Sequence, residues 1–253
     1  MQIGFALPQF GGQARTGGAV ARFARELEAA GAHSLWVDDR LLDPLVLLAV
    51  AAGVTERVRL GTNVLVAPLY PPAMLAQQLT TVDVLSAGRL TAGFGIGSLP
   101  EAYRVAGVPF HERDVRLEET LDALEAIWSV QTPRPPIHLA GATPQSLARI
   151  GRRADGWLPV LPVPTPLEQY GHLLQQRETV VRAAEAADRD PNAIETTIRI
   201  NATAGTPLQD IAEAVHQLSD RTLFDTVLMD LHDATDSTDH ALDATLHLLE
   251  LLS

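Results

Sequence analysis

The stretch LGTNVLVAPLYPPAMLAQQLTTVDVLSAGRLTAGFGIGSLPEAYRVAG, from Leu60 to Gly107, sets two glycine-interrupted strand ends around one helix in a length too short for a separate domain. The run up to Val64 reads as the end of a strand, Pro72–Leu85 as a helix with proline in its first turn, and Leu90–Gly95 as the next strand. Strand, helix, strand is the repeating unit of a parallel sheet whose crossovers are right-handed. In such folds ligands sit beyond the carboxyl ends of the strands, where glycines and small polar residues let the backbone approach a bound group closely.

Working outward, the same alternation predicts eight strand and helix pairs. Upstream, Gln2–Leu7 is strand one, followed by a helix over Ala19–Gly31 whose Val20, Phe23, Ala24 and Leu27 recur at three- and four-residue spacing. Ser34–Asp38 is strand two, followed by a helix over Leu45–Val54 introduced by Asp43 and Pro44, and Val58–Val64 is strand three. Downstream of strand four, Arg113–Val130 is a helix, Ile137–Ala140 strand five, Pro144–Ala154 a helix, Gly156–Val160 strand six and Pro166–Ala187 a helix. Thr196–Thr203, Pro207–Leu218, Thr226–Met229 and Thr238–Leu252 complete the set as strand, helix, strand and helix. PVLPVPTP, Pro159–Pro166, reads as a rigid loop after strand six. Eight pairs in 253 residues predict one domain, 1–253, folded as a (β/α)8 TIM barrel with its site at the strand carboxyl ends.

Composition narrows the chemistry. A formal charge of −12, a pI near 5.0 and the absence of any basic run argue against nucleic acid or an anionic membrane as partner. The opening MQIGFALPQF enters a strand pattern without a basic leader, and no apolar run reaches the roughly 18 residues of a spanning helix, so a cytoplasmic protein is expected. The chain has no cysteine, which excludes disulfides, thiolate catalysis and thiolate-ligated metal. Its eight histidines form no close pair, so no metal site is expected. No GxSxG elbow is present, and no glycosidase carboxylate pair is identifiable at the strand ends.

The predicted barrel mouth gathers Phe10, Asp38–Arg40, Asn63–Ala67, Gly95–Ser98, Ala140–Thr143 and Asp230. Two clusters suit an anion. GFGIGS, Gly93–Ser98, offers backbone N–H groups or, equally, the small residues a crowded strand needs. In AGATPQSLAR, Thr143 as N-cap and Pro144 at the first turn leave N–H groups aimed outward with a helix dipole behind them, either for a phosphate or as an ordinary cap.

The order of IGFALPQF, LWVDDR, RVRLGTNV, LSAGRLTAGFGIG, EAYRVAGVPFHERDVRLEE and GRRADGW resembles the luciferase-like monooxygenase family of flavin- and deazaflavin-dependent barrels, over nearly the whole chain. The resemblance implies a TIM barrel that binds the deazaflavin F420 or, alternatively, FMN at the strand carboxyl ends. It places Asp39 and Arg40 where the family shows Asp-His beside the ring. Asn63 and Val64 match a bulge that in several relatives carries a non-prolyl cis peptide. Ile96, Gly97 and Ser98 match the loop along the ring or ribityl chain, and Ala140, Gly141, Ala142 and Thr143 match the phosphate site. Tyr103 and Glu101 are placed either to reach a ribityl chain or phosphate or, equally, to decorate a loop, and His111 follows the AGVPF segment near the mouth.

The departures are informative. Arg40 replaces the family histidine, and a guanidinium with a pKa above ~12 is a poor general acid. A fixed cation there would stabilise an anionic reduced cofactor or bind a substrate carboxylate; alternatively, Arg40 only pairs with Asp38 or Asp43. Ser98 stands where sugar-phosphate-oxidising relatives place a glutamate base, which argues against that substrate class. The loops DDRLLDP and VQTPRPP are short, so the mouth is expected to be open, which favours direct hydride transfer over oxygenation. The reading is an oxidoreductase transferring hydride between F420 and a small organic substrate, with Arg40 as the catalytic candidate. An FMN-dependent monooxygenase or reductase, a flavin-binding barrel without turnover, and a phosphate-binding isomerase or lyase are the alternatives. The resemblance also implies a homodimer through the helices after strands two and three.

Overall fold

The computed structural model describes residues 1–10, 18–130, 134–163, 165, 167–219 and 224–252. Its strands are β1 (Gln2–Ala6), β2 (Ser34–Val37), β3 (Arg59–Thr62), β4 (Leu65–Val66), β5 (Leu90–Gly95), β6 (Ile137–Leu139), β7 (Gly156–Trp157), β8 (Val160–Val163), β9 (Glu195–Ala202) and β10 (Thr226–Asp230). The helices are α1 (Gly18–Ala29), α2 (Pro44–Ala52), α3 (Pro72–Leu85), α4 (Pro100–Val105), α5 (Arg113–Trp128), α6 (Pro144–Arg153), α7 (Leu167–Glu185), α8 (Leu208–Ser219) and α9 (Thr238–Leu251).

All pairings among the described strands are parallel. In the order β1-β2-β3-β5-β6-β7-β9-β10 the strands close on themselves through β10 and β1, giving the eight-stranded barrel that the alternation predicts. Two barrel positions are split. β3 breaks at Asn63-Val64, whose peptide bond is cis as the resemblance implies, and resumes as β4, which pairs with β5. β7 breaks after Trp157 and resumes as β8, which pairs with β9.

The second break corrects the loop expected over Pro159–Pro166. Val160–Val163 is a strand with alternating exposed and buried residues, and Pro162 is tolerated because β8 has a neighbour on one side only. Pro164 and Pro166, like residues 131–133 of the VQTPRPP loop, lie outside the described residues. The short helix α4 is a further departure: PEAYRV carries too little periodicity to announce itself, but Pro100 starts it and Tyr103 anchors it in the core.

Local chemistry fixes the elements. Asp43 caps α2 by accepting from the Leu45 and Val46 amides at 2.9 and 3.1 Å. Thr143 and Ser146 form a reciprocal capping box at α6. In the SAGRL segment Arg89 is a structural clamp: it donates to the carbonyls of Ser86, Val58, Thr55 and Ala52 at 2.7–3.2 Å and so ties the α2 exit to the start of β5. Asp155 of the ADGW segment accepts from the Ile137 amide at 2.7 Å and pairs with Arg134.

Inside the barrel, Trp36 occupies space that glycines leave open. A Cβ on Gly61 would lie 2.4 Å from its ring, and one on Gly4 would lie 3.1 Å from its Nε1. Trp36, Leu158 and Leu228 form an apolar layer, with Ala6, Val64 and Ala140 packed against it.

Candidate active site

β2 ends at Val37, so the next three residues emerge at the mouth. Asp38 faces Arg40, whose Nε donates to Asp38 Oδ2. Arg40 Nη2 also donates to Asp230 Oδ2 at 3.1 Å, and its Nη1 lies 3.6 Å from Asp233 Oδ1. The expected pairing with Asp38 is therefore present, but Asp43 is engaged as the α2 cap instead. Arg40 remains 31% exposed while Asp230 is 5% exposed, so the cation keeps contact with solvent and its partner carboxylate does not. Burial alone would lower the Arg40 pKa, but Asp38 and Asp230 outweigh it and raise it further, which leaves Arg40 a permanent cation. Asp230 shows the converse. Burial pushes its carboxyl up, yet Arg199, the His232 amide and Arg40 hold it below the usual range.

Gln9 buttresses this arrangement. Its Nε2 donates to the carbonyl and carboxylate of Asp38 at 2.8 and 2.9 Å, and its Oε1 accepts from the Leu41 and Leu42 amides. Asp39 points elsewhere, accepting from Tyr70 OH at 3.0 Å and the Val66 amide at 3.3 Å. Burial and Asp39 push the Tyr70 phenol well above its ordinary value, so Tyr70 is a neutral hydrogen-bond donor.

The glycine clusters divide between packing and mouth. A Cβ on Gly93 would sit 1.8 Å from the Thr62 carbonyl oxygen, and one on Gly95 would sit 2.7 Å from Val64 Cγ2. The glycines of β5 therefore admit β3 and β4. Gly97 turns with φ +63 beside Val66, leaving Ile96 half-buried and Ser98 exposed on the rim. Tyr103 does not reach the mouth; it is buried and donates to the Ile96 carbonyl, packing edge-on against Phe110 at 5.2 Å. Glu101 is likewise spent on Arg104, and His111 is exposed.

On the far side Ala140 follows β6, and Gly141–Thr143 leads into α6. Gly141 is crowded by Ser146, whose Oγ would lie 2.4 Å from an added Cβ, and its carbonyl accepts from Trp157 Nε1 at 3.1 Å. Ala142 and Thr143 are exposed at the helix start. Asp39, Arg40, Asn63, Val64, Ile96–Ser98 and Ala140–Thr143 all stand at the carboxyl ends of β2, β3, β5 and β6, one end of the barrel.

Arg199 escapes the sequence reading. It projects from β9 into the mouth, where it donates to the Asn63 carbonyl at 2.8 Å, to Asp38 at 3.2 Å and to Asp230. The available signal was alternation: Ile198 and Ile200 face the helices, so Arg199 and Asn201 face the barrel interior. Around Arg199 three buried polar atoms have no partner among the described residues, Asn63 Nδ2, Arg199 Nε and Asn201 Oδ1. Among the described residues no group of three His, Asp or Glu is placed to hold a metal ion, and no helix is long and apolar enough to cross a membrane.

The candidate residues thus gather at the strand carboxyl ends of a parallel (β/α)8 barrel, the end at which such barrels carry their sites. The sequence profile described as luciferase-like monooxygenase matches residues 1–247, and the chain belongs to that family. A protein of Mycobacterium tuberculosis (strain ATCC 25618 / H37Rv) described as uncharacterised is 30% identical over 182 residues, 63% of either chain. The F420-dependent glucose-6-phosphate dehydrogenase of Amycolatopsis mediterranei (strain U-32) is 27% identical over 215 residues, 72% of this chain and 63% of that one. The chain thus matches just under two thirds of the length of these relatives. Among solved structures, monooxygenase RslO1 from Streptomyces bottropensis superposes with a TM-score of 0.82 at 19% identity, covering 100% of this chain and 98% of that one. An F420-dependent secondary alcohol dehydrogenase in complex with an F420-acetone adduct gives 0.80 at 16%, covering 100% and 99%. The FMN complex of the oxygenating constituent of 3,6-diketocamphane monooxygenase from Pseudomonas putida gives 0.77 at 14%, covering 100% and 96%.

Proposed function

We propose that this protein is an F420-dependent oxidoreductase that moves a hydride between the deazaflavin and a small organic substrate. The observation that carries the reading is Arg40, a permanent cation held by Asp38 and Asp230 yet 31% exposed, at the same barrel end as the glycine-led start of α6. The residues fit a flavin-like group. Unpartnered polar atoms on Asn63, Arg199 and Asn201 surround the mouth, and the Gly141–Thr143 turn offers a helix start to a phosphate. When bound, F420 supplies or accepts a hydride at its ring.

The chain's own part follows from charge. Arg40 stabilises negative charge developing in the mouth without giving up a proton, and the two carboxylates keep its guanidinium from swinging away. Tyr70, held neutral by Asp39, donates a hydrogen bond but is not a base. Gly141–Thr143 would orient the phosphate-bearing tail. FMN meets the same requirements, and both cofactors occur among the relatives' structures. The engagement of Arg40 by three carboxylates favours a second reading, a cofactor-binding barrel without turnover.

Parallel titrations with F420 and FMN, followed by the cofactor's own emission, test the proposal. One of the two is expected to bind in the micromolar range or tighter. Gly141→Asp, which forces a side chain into Ser146 and a negative charge toward the phosphate, is expected to weaken it at least tenfold, and Arg40→Ala to weaken it less. Binding of neither cofactor excludes the redox reading. Turnover with a carbonyl and alcohol panel then separates enzyme from binding protein.

We further propose a homodimer in a cytoplasmic setting. α2 is apolar all round, and Val46 at 61% exposure and Met74 at 57% stand on the outer faces of α2 and α3, which lie side by side. Such a surface is expected to be covered. Sedimentation velocity is expected to give twice the 27.2 kDa chain mass, and Val46→Glu to shift the protein toward monomer. A monomeric wild type at micromolar concentration would rule the dimer out.

A further inference from the structure

β3 and β9 are the third and seventh positions of the closed eight-strand order, on opposite sides of the barrel. Arg199 crosses that distance. From β9, where it is in register with Leu228, its side chain reaches Asp38 beyond the end of β2, Asp230 at the end of β10 and the carbonyl of Asn63 on the opposite wall. It is 12% exposed. Beneath the mouth lies the apolar layer of Trp36, Leu158 and Leu228. One planar group thus joins residues at the ends of β2, β3 and β10.

We infer that Arg199 is a positioning residue that forms the floor of the mouth and sets both the place of the Asn63–Val66 wall and the depth at which a planar ring can seat. The inference rests on the cofactor reading above. Arg40 and Arg199 share Asp38 and Asp230, so the location of the Arg40 charge follows that of Arg199. A guanidinium suits the task because its planar fork serves several acceptors at once, which a lysine ammonium on a flexible stem does not. Arg199 touches the walls of the slot and acts on a bound ring through them.

Two variants separate this role from general stability. Arg199→Lys keeps the charge and loses the span. Arg199→Met combined with Asp230→Asn removes a cation and an anion together, so no charge is stranded beside the apolar layer. In ligand-free protein, hydrogen–deuterium exchange over residues 59–70 is expected to rise about tenfold in both, with α7 unchanged. In F420 and FMN titrations, the cofactor that wild type takes is expected to bind about tenfold more weakly, with an altered visible absorption band in the fraction still bound. Unchanged exchange over 59–70, unchanged affinity and band shape, or a uniform rise in exchange across the chain would overturn the positioning role. If wild type binds neither cofactor, the proposed function fails and the floor fails with it; if wild type binds and both variants match it, only the role of Arg199 falls.

Discussion

Gly93→Ala is expected to destabilise the protein by about 3–5 kcal/mol, the sum of overpacking and the loss of two hydrogen bonds of about 1 kcal/mol each. The new methyl would meet the Thr62 carbonyl oxygen at 1.8 Å and Leu158 Cδ1 at 2.8 Å. The nearer atom is backbone, so β3 itself must move. That motion breaks a reciprocal pair in which Thr62 Oγ1 donates to the Gly93 carbonyl and accepts from the Gly93 amide, both at 2.8 Å. Equilibrium urea unfolding checks it. Gly171→Ala serves as the contrast, because Gly171 is exposed within α7 with no described residue near its missing Cβ, and alanine there is expected to add about 0.5–1 kcal/mol. A Gly93→Ala protein within 1 kcal/mol of wild type, on the ~1 kcal/mol scale of a single mutation, would mean that β3 has slack beside β5.

Lowering the pH from 6.5 to 4 is expected to remove about 3 kcal/mol of stability through His138 alone. Its imidazole is buried between β5 and β7, neither ring nitrogen has a hydrogen-bond partner among the described residues, and Nε2 lies 3.7 Å from Glu195 Oε2. Burial, aided by Arg59 and opposed by Asp155, lowers its pKa to about 4, against the usual 6.5 of an unfolded chain. The folded-state pKa is therefore the lower one. Between the two values the unfolded chain takes up a proton that the folded chain refuses, so the contribution is complete above pH 6.5 and lost as pH falls toward 4. Glu195, whose carboxyl burial pushes up, works in the opposite sense. The difference between wild type and His138→Gln, measured by urea unfolding at pH 7, 6, 5 and 4, isolates the histidine. Parallel pH profiles for the two proteins would exclude the mechanism.

The barrel was readable because its signals are local. Asp43 before Pro44, Thr143 before Pro144 and the four-residue stripe of α1 each declare one element, and eight declared pairs leave little choice of closure. β8 is hidden because proline ordinarily marks a stop, whereas pairing on one side, as β8 shows among the described residues, makes it permissible. The mouth was half readable. Asp39, Asn63, Gly97 and Gly141 follow strand ends and could be placed by counting, but the Arg40–Asp230 pair joins residues 190 apart, and Arg199 serves a carbonyl 136 residues away. Such contacts exist only once the ring of strands has closed. Tyr103 is ambiguous in the sequence for the same reason, since only the folded loop shows that its hydroxyl turns inward to Ile96.

The tryptophan beneath the mouth has a practical consequence. Of the three indoles in the chain, Trp128 is tied to Thr80 between α3 and α5, Trp157 braces the Gly141 turn, and Trp36 packs inside the barrel with Leu158 and Leu228, next to Val64 and Ala140. Its Nε1 is held by Ser34 Oγ at 2.9 Å, so its orientation is fixed. Whatever settles in the mouth changes the surroundings of fixed indoles, which makes the protein its own optical probe: resonance energy transfer from Trp36 and Trp157 would register occupancy, and a Trp36→Phe control would divide the signal between them, without any label being attached.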